Sequence, residues 1–201
     1  MELVRVDDSV DPFAQIKDEA VPEGVEILQE RVHLGEDMVV VHYARASLRE
    51  GESKQQVSER LLSWLRSIPL PEGTRFGIRG TSQMDPDTYA FRLDGIRSFV
   101  LSGEPFVRTE DVTDAVALLD EVIPAARLTL SSAAARRLED ATRQWRRRRV
   151  AVLVDGVIVT APVVQTAVTG GSISVMMDEP DGDRKQQIDR LNQFVREMKA
   201  R

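Results

Sequence analysis

Apolar positions along the chain fall into short blocks whose spacing alternates between strand-like and helical. Met38–Ala44 is rich in β-branched residues and reads as a strand. Ser53, with Gln56 three residues on, forms a capping-box signature. Val57, Leu61, Trp64, Leu65 and Ile68 then recur at helical spacing until Pro69 ends the helix. Thr74–Arg79, Thr88–Leu93 and Arg97–Ser102 read as strands, the last two separated by the turn residues Asp94-Gly95.

The second half repeats this grammar. Ala126–Leu130 reads as a strand. Ser131 or Ser132 caps a helix reaching about Arg146, with Ala134, Leu138, Ala141 and Trp145 on one face. Val150–Val154 and Val157–Ala161 flank Asp155-Gly156, a two-residue hairpin signal for a type I′ turn with positive φ at both positions. Gly170-Gly171 precedes a strand over Ser172–Met177. Asp178–Asp183 is a polar loop, and Lys185–Lys199 is a final helix with Ile188, Leu191, Val195 and Met198 on one face. Each half contains strand, helix and strand. The pattern predicts an α+β protein of βαβ-type halves, with helices packed on antiparallel or mixed sheet and with Trp64 and Trp145 largely buried.

The first 37 residues differ in character. They hold eleven acidic residues against Arg5, Lys17 and Arg31, and are punctuated by Pro12, Pro22, Gly24 and Gly35. The expected organisation is therefore an acidic, partly irregular segment over 1–37 with one short strand near Val25–Leu28, an α+β unit over 38–95, and a second unit over 96–201. At 42% hydrophobic and 30% charged residues, the 201-residue chain has the composition of a globular protein able to bury a core without metal or disulfide staples. It has no cysteine, which removes thiol catalysis, thiolate metal ligation and disulfides. No apolar run is long enough to span a bilayer as a helix. The first residues lack the basic and apolar regions of a signal peptide, so the chain reads either as cytoplasmic or as cut from a longer precursor.

Catalytic chemistry finds no foothold. The two histidines, His33 and His42, stand apart, and His42 alternates within an apolar strand where its role is structural. There is no phosphate-binding glycine loop and no nucleophile elbow. Glu110-Asp111 and Glu139-Asp140 read as a helix start and a solvated helix face. The expectation is a non-enzymatic protein with no catalytic residues, cofactor or metal site. The run Arg146, Arg147, Arg148 and Arg149 reads in two ways: as cations complementing a helix C-terminus, or as a patch for phosphate or an acidic partner. The net charge of −6 and 5% aromatic content weigh against nucleic acid.

A string of motifs adds to this. Glu139-x-Ala141-Thr142-Arg143-Gln144 is followed by Arg149-Val150-Ala151-Val152-Leu153-Val154-Asp155-Gly156. Then come Thr160-Ala161-Pro162-Val163-Val164 and Ala167-Val168-Thr169-Gly170-Gly171. In this order they resemble the head subdomain of the first periplasmic domain of SecD and SecDF, the accessory subunit of the bacterial preprotein translocase. There a helix ending in T-x-x-N-x-G-K-R leads into L-A-I-V-L-D-G, A-P-V-I and I-T-G-G. Upstream, Val107–Leu130 is also similar, through Thr109–Ala115 and the strand that follows. One departure stands out: the family's G-K-R is Arg147-Arg148-Arg149 here, without the glycine.

The resemblance implies a polypeptide- or protein-binding module linked to protein export, extracytoplasmic if an upstream signal has been removed and otherwise cytoplasmic. Without transmembrane helices in this chain, it implies no proton-driven pulling. Asp155 and Gly156 are turn residues first. Thr160, Ala161 and Pro162, with Thr169, Gly170 and Gly171, are fold-specifying residues that double as candidate partner-binding positions alongside the arginines. The alternative is a soluble adaptor in an unrelated assembly, binding polyanions through its arginine-rich stretch.

Overall fold

The computed structural model describes residues 1–84, 91–119, 124–176 and 184–200. Ten strands and three helices are arranged as β1 (Glu2–Val6), β2 (Val25–Leu34), β3 (Asp37–Ser47), α1 (Lys54–Leu65), β4 (Thr74–Met84), β5 (Phe91–Arg108), β6 (Val112–Leu118), β7 (Ala125–Leu130), α2 (Ser132–Gln144), β8 (Val150–Val154), β9 (Val157–Thr160), β10 (Ser172–Met176) and α3 (Arg184–Lys199). The α+β class holds, and the pairings between these strands are antiparallel. Seven strands form one sheet, ordered β2-β3-β5-β1-β8-β9 with β4 on the other edge of β5. A three-stranded sheet runs β10-β7-β6. The expected loop over Asp178–Asp183, Met177 and the start of the strand expected from Thr88 lie outside the described residues.

The acidic first segment is more regular than its composition suggests. β1 sits inside the large sheet, pairing with β5 on one edge and β8 on the other. β2 runs through Leu34 and pairs along its length with β3. Alternation does not reveal β1 because both of its faces are covered. Leu3 packs into one core, while Val4 and Val6 pack into another.

The turn expected at Asp94-Gly95 is instead a bulge within β5. Thr81 pairs with Gly95 and Ser82 with Leu93, leaving Asp94 as the extra residue. Its carboxylate accepts from Thr81 Oγ1 at 2.6 Å and from Arg45 Nη2 at 2.7 Å. The glycine answers a close approach, since a Cβ at Gly95 would lie 2.5 Å from the Ala46 carbonyl oxygen. The Asp155-Gly156 hairpin forms as the dipeptide predicts, with φ of 50° and 80°.

Both helix starts follow from their sequence. The Gln56 amide donates to Ser53 Oγ while Gln56 Oε1 accepts from the Ser53 amide, closing the capping box. The Ala134 amide donates to Ser131 Oγ. Helix α1 presses Val57, Leu61 and Leu65 onto the β3–β4–β5 part of the large sheet, with Phe13 and Ile78. The other main core lies between the two sheets. It joins Leu3, Val107, Val150 and Val152 of the large sheet to Ala126, Leu128 and Val175 of the small one, with Leu138 from α2 and Leu191 and Phe194 from α3. Trp64 and Trp145 are largely buried, as expected, though neither is fully enclosed. Trp64 stacks on Phe13 at 6.0 Å, and Trp145 caps the C-terminus of α2.

Two stability changes follow. Leu138 is 1% exposed, and Leu138→Ala should lower the unfolding free energy by about 2–5 kcal/mol in urea titration. Arg147 holds φ 58° just beyond α2, at the position where the resembling family carries glycine. Its ion pair with Glu36 is exposed and contributes little. Arg147→Gly should therefore raise stability by on the order of 1 kcal/mol, read as an increased urea midpoint.

Candidate functional site

The four consecutive arginines do not form one patch. Helix α2 ends just before them, and the chain then turns into β8, so successive side chains leave in different directions. Arg146 is exposed. Arg147 pairs with Glu36, and Arg148 lies over the Trp145 ring at 4.7 Å. Arg149 is 9% exposed and points into the protein. Its Nε donates to Asp8 Oδ2 at 2.9 Å, Nη2 donates to Asp8 Oδ1, and Nη1 donates to Glu30 Oε1 at 2.7 Å.

Glu30 also receives Arg97, whose guanidinium lies over the Tyr43 ring at 3.8 Å. Burial alone would raise the Glu30 pKa, but the hydrogen bonds and charges of Arg97 and Arg149 outweigh it and hold Glu30 below its ordinary 4.5. Burial likewise opposes the charge on Arg149, while Asp8 and Glu30 outweigh it and raise its pKa. The buried charges are thus paired with one another, as a partly dry site demands.

The remaining motif residues gather at the join between the two sheets. Thr160, which ends β9, and Ala161 are half-buried, and Pro162 is exposed. The strap continuing from Pro162 is pinned to the arginine turn. The Val150 amide donates to the Pro162 carbonyl at 3.0 Å, the Arg147 amide to the Val164 carbonyl at 2.7 Å, and the Val164 amide to the Arg148 carbonyl at 2.9 Å. Further on, the Val168 amide donates to Thr142 Oγ1 of α2 at 2.9 Å. Thr169 and Gly170 are exposed at the turn into β10. Gly171 has φ 67°, and a Cβ there would lie 2.9 Å from the Ala135 Cβ, so the glycine lets this turn close against α2.

This strap, β10 and the adjoining face of β8 enclose a groove of about 370 Å³. Its walls include Leu3, Val150 and Val152 on one side, Val163, Val164 and Val168 along the strap, and Ile173 and Val175 on β10. The groove is therefore largely apolar, with Thr142, Gln165 and Thr166 of the strap and the β10 serines as its polar points. β10 ends the small sheet. The Leu130 amide donates to the Gly171 carbonyl, so antiparallel alternation turns Ile173 and Val175 toward β7 and leaves the backbone groups of Ser172, Ser174 and Met176 facing outward. An extended chain could pair with that edge and seat alternate side chains in the groove.

Of the residues singled out in the sequence, Pro162 lines the groove. Thr160 and Ala161 lead into the strap, and Thr169, Gly170 and Gly171 shape the turn at its end. Asp155 and Gly156 form the β8–β9 turn outside it. Leu3 and Ser174 carry no motif signal, since only the fold brings β1 and β10 together with α2, whose Thr142 belongs to the motif string. Asp8 and Glu30, the partners of Arg149, are equally invisible to spacing rules. Among the described residues no three His, Asp or Glu side chains converge to hold a metal ion, and no helix is long and apolar enough to cross a membrane.

Residues 87–179 match the family model described as the SecDF P1 head subdomain. A segment of 70 residues is 39% identical to the protein translocase subunit SecDF of Thermus thermophilus, covering 34% of this chain and 10% of that protein. Thus the matched segment spans a tenth of the length of that relative. A solved structure titled as a membrane component SecDF that enhances protein export aligns over 98% of this chain and 92% of its own, at 18% identity and a TM-score of 0.42. Another, of SecDF from Thermus thermophilus, aligns over 98% of this chain and 28% of its own, at 18% identity and a TM-score of 0.36. Residues 87–179 contain β6 through β10, and with them the strap and the free edge.

The buried ion cluster sets a pH dependence. Glu30 has a folded pKa below its unfolded value, so its contribution is complete above about pH 4.5 and is lost as pH falls through the folded value. Glu30→Gln should flatten that acid limb in urea titrations. Asp8→Asn removes one partner of a buried guanidinium, a change worth roughly 3–5 kcal/mol. The loss should fall toward the lower end because Glu30 still faces Arg149.

Proposed function

We propose that this chain, similar over residues 87–179 to the SecDF P1 head subdomain, is a non-enzymatic module of a protein-export apparatus that binds extended polypeptide. The observation that carries the reading is the edge of β10 that no strand among the described residues pairs with, bordering an apolar groove within the segment matched by the family model. A strand edge offers N–H and C=O groups that pair with an extended chain largely regardless of its sequence. The apolar walls add affinity for alternate side chains without demanding particular ones. Sequence tolerance of this kind suits a domain that meets many exported chains. By the same resemblance, we assign the domain to the extracytoplasmic side of the membrane.

Binding is expected to be weak and nearly independent of salt, because backbone pairing and apolar burial involve little counterion release. Fluorescence anisotropy with unfolded, labelled peptides at about 50 and 200 mM salt should give similar affinities. Ser174→Pro removes an outward-facing amide at the edge while sparing the β7 pairing, and should weaken peptide binding at least about tenfold with the fold retained. Single-stranded nucleic acid binding steeply weakened by salt, with no peptide binding, would instead favour polyanion recognition through the arginine turn.

A further inference from the structure

The small sheet has a second face, turned away from the core. Ala126, Leu128 and Val175 point inward, so alternation sends Arg127 and Thr129 of β7, with Ser172 and Ser174 of β10, to the opposite side. The register arranges this outer face in rows across the three strands. Ser174 is matched with Arg127, and Arg127 with Val116 of β6. In the next row Ser172 is matched with Thr129, and Thr129 with Asp114. Arg127 is exposed, and Val116 beside it is 46% exposed. Ser172 and Ser174 also line the groove, so the β10 edge is the line along which the groove and this outer face meet.

The row through Ser174 carries an unanswered charge. Among the described residues no carboxylate or hydrogen-bond acceptor reaches the Arg127 guanidinium. Val116 has no polar side-chain atom to offer, and the carboxylate of the neighbouring row, Asp114, meets Lys199 of α3 at 3.4 Å. On the other side of Arg127 the row ends at Ser174, a short side chain on the outermost strand of the sheet. A strand added to that edge shows alternate side chains to the groove and to the outer face. In antiparallel pairing, the residue exchanging backbone hydrogen bonds with Ser174 lies on the same face as Ser174 and continues the row that holds Arg127. Two strand spacings, about 9.6 Å, separate it from Arg127, a span that an arginine and a glutamate cover from both ends across an intervening serine. We propose that the polypeptide bound at the β10 edge presents an acidic side chain opposite Ser174 to Arg127, so that the site prefers strands apolar on the groove face and acidic on the other. The inference rests on the groove reading and adds to it a charge preference confined to one face of the bound strand.

The probe is a short peptide of alternating threonine and valine with blocked ends. It is compared with versions carrying glutamate or lysine at the central threonine, and with one carrying glutamate at a central valine. At about 50 mM salt, glutamate at the threonine position should tighten binding about threefold over the neutral peptide, and lysine there should weaken it. Glutamate at the valine position faces the apolar groove and should bind more weakly than the neutral peptide. Arg127→Glu should reverse the order of the glutamate and lysine peptides, and Arg127→Gln should abolish the difference between them, with circular dichroism reporting whether each variant keeps the fold. Three results would each overturn the charge preference and leave the groove reading standing: equal affinities for the neutral, glutamate and lysine peptides, an equal gain from glutamate at either position, or an order that neither Arg127 variant changes. Failure of every peptide to bind, the neutral one included, would overturn both.

Discussion

The architecture depends on a strand of five residues having a partner on each edge. β1 lies between β5 and β8, and without it both neighbours would present open edges inside the large sheet. Its side chains are held as firmly as its backbone. Leu3 enters the core shared with the small sheet, while Val4 and Val6 enter the core beneath β5 and β8. Complete burial of such aliphatic side chains contributes about 1.5–3 kcal/mol each. The strand's exit is fixed by the Val6 amide donating to the Arg149 carbonyl, and immediately beyond it Asp8 takes the Arg149 guanidinium. A buried ion pair adds little net stability over a well-packed apolar substitute. It does impose a penalty on any other register of this strand, because a shift would strand two charges away from water.

The groove follows from that arrangement. The large and small sheets share a core but not a continuous hydrogen-bond ladder, and they part along the groove that separates β8 from β10. The strap after β9 crosses this line and is anchored at both ends, to the arginine turn and to Thr142. The gap is held open by backbone hydrogen bonds on one side and by the glycine turn against α2 on the other. The apolar lining is therefore a property of the joint between sheets and not of any single element.

Local chemistry made part of this legible in the sequence. Ser53 with Gln56, Ser131 and Asp155-Gly156 act through residues no more than a few positions away, and each does what its spacing predicts. The strap and its glycines were accessible through resemblance, since their order along the chain is distinctive. Features set by distant partners were not accessible. β1 escapes notice because two-sided burial removes the alternation that marks a strand. Asp94-Gly95 has the composition of a turn, but the approach of Ala46 and the hydrogen bonds from Arg45 and Thr81 convert it to a bulge. The arginine run looks like a surface patch until Asp8 and Glu30 are seen to draw Arg149 inward.

The pairing of β1 with β8 also bears on how the molecule can be made. Glu2 is matched with Leu153, and the ladder between these strands cannot begin until β8, far along the sequence, has been synthesised. Until then Leu3, Val4 and Val6 have no complete site, and the edge of β1 that β8 covers is open. Closing so long a loop is an entropic cost met before most of the contacts that reward it. During synthesis the edge of β1 that faces β8 therefore stays open after β5 has become available to the other edge, a condition in which exposed edges invite misassembly or capture by a holding factor.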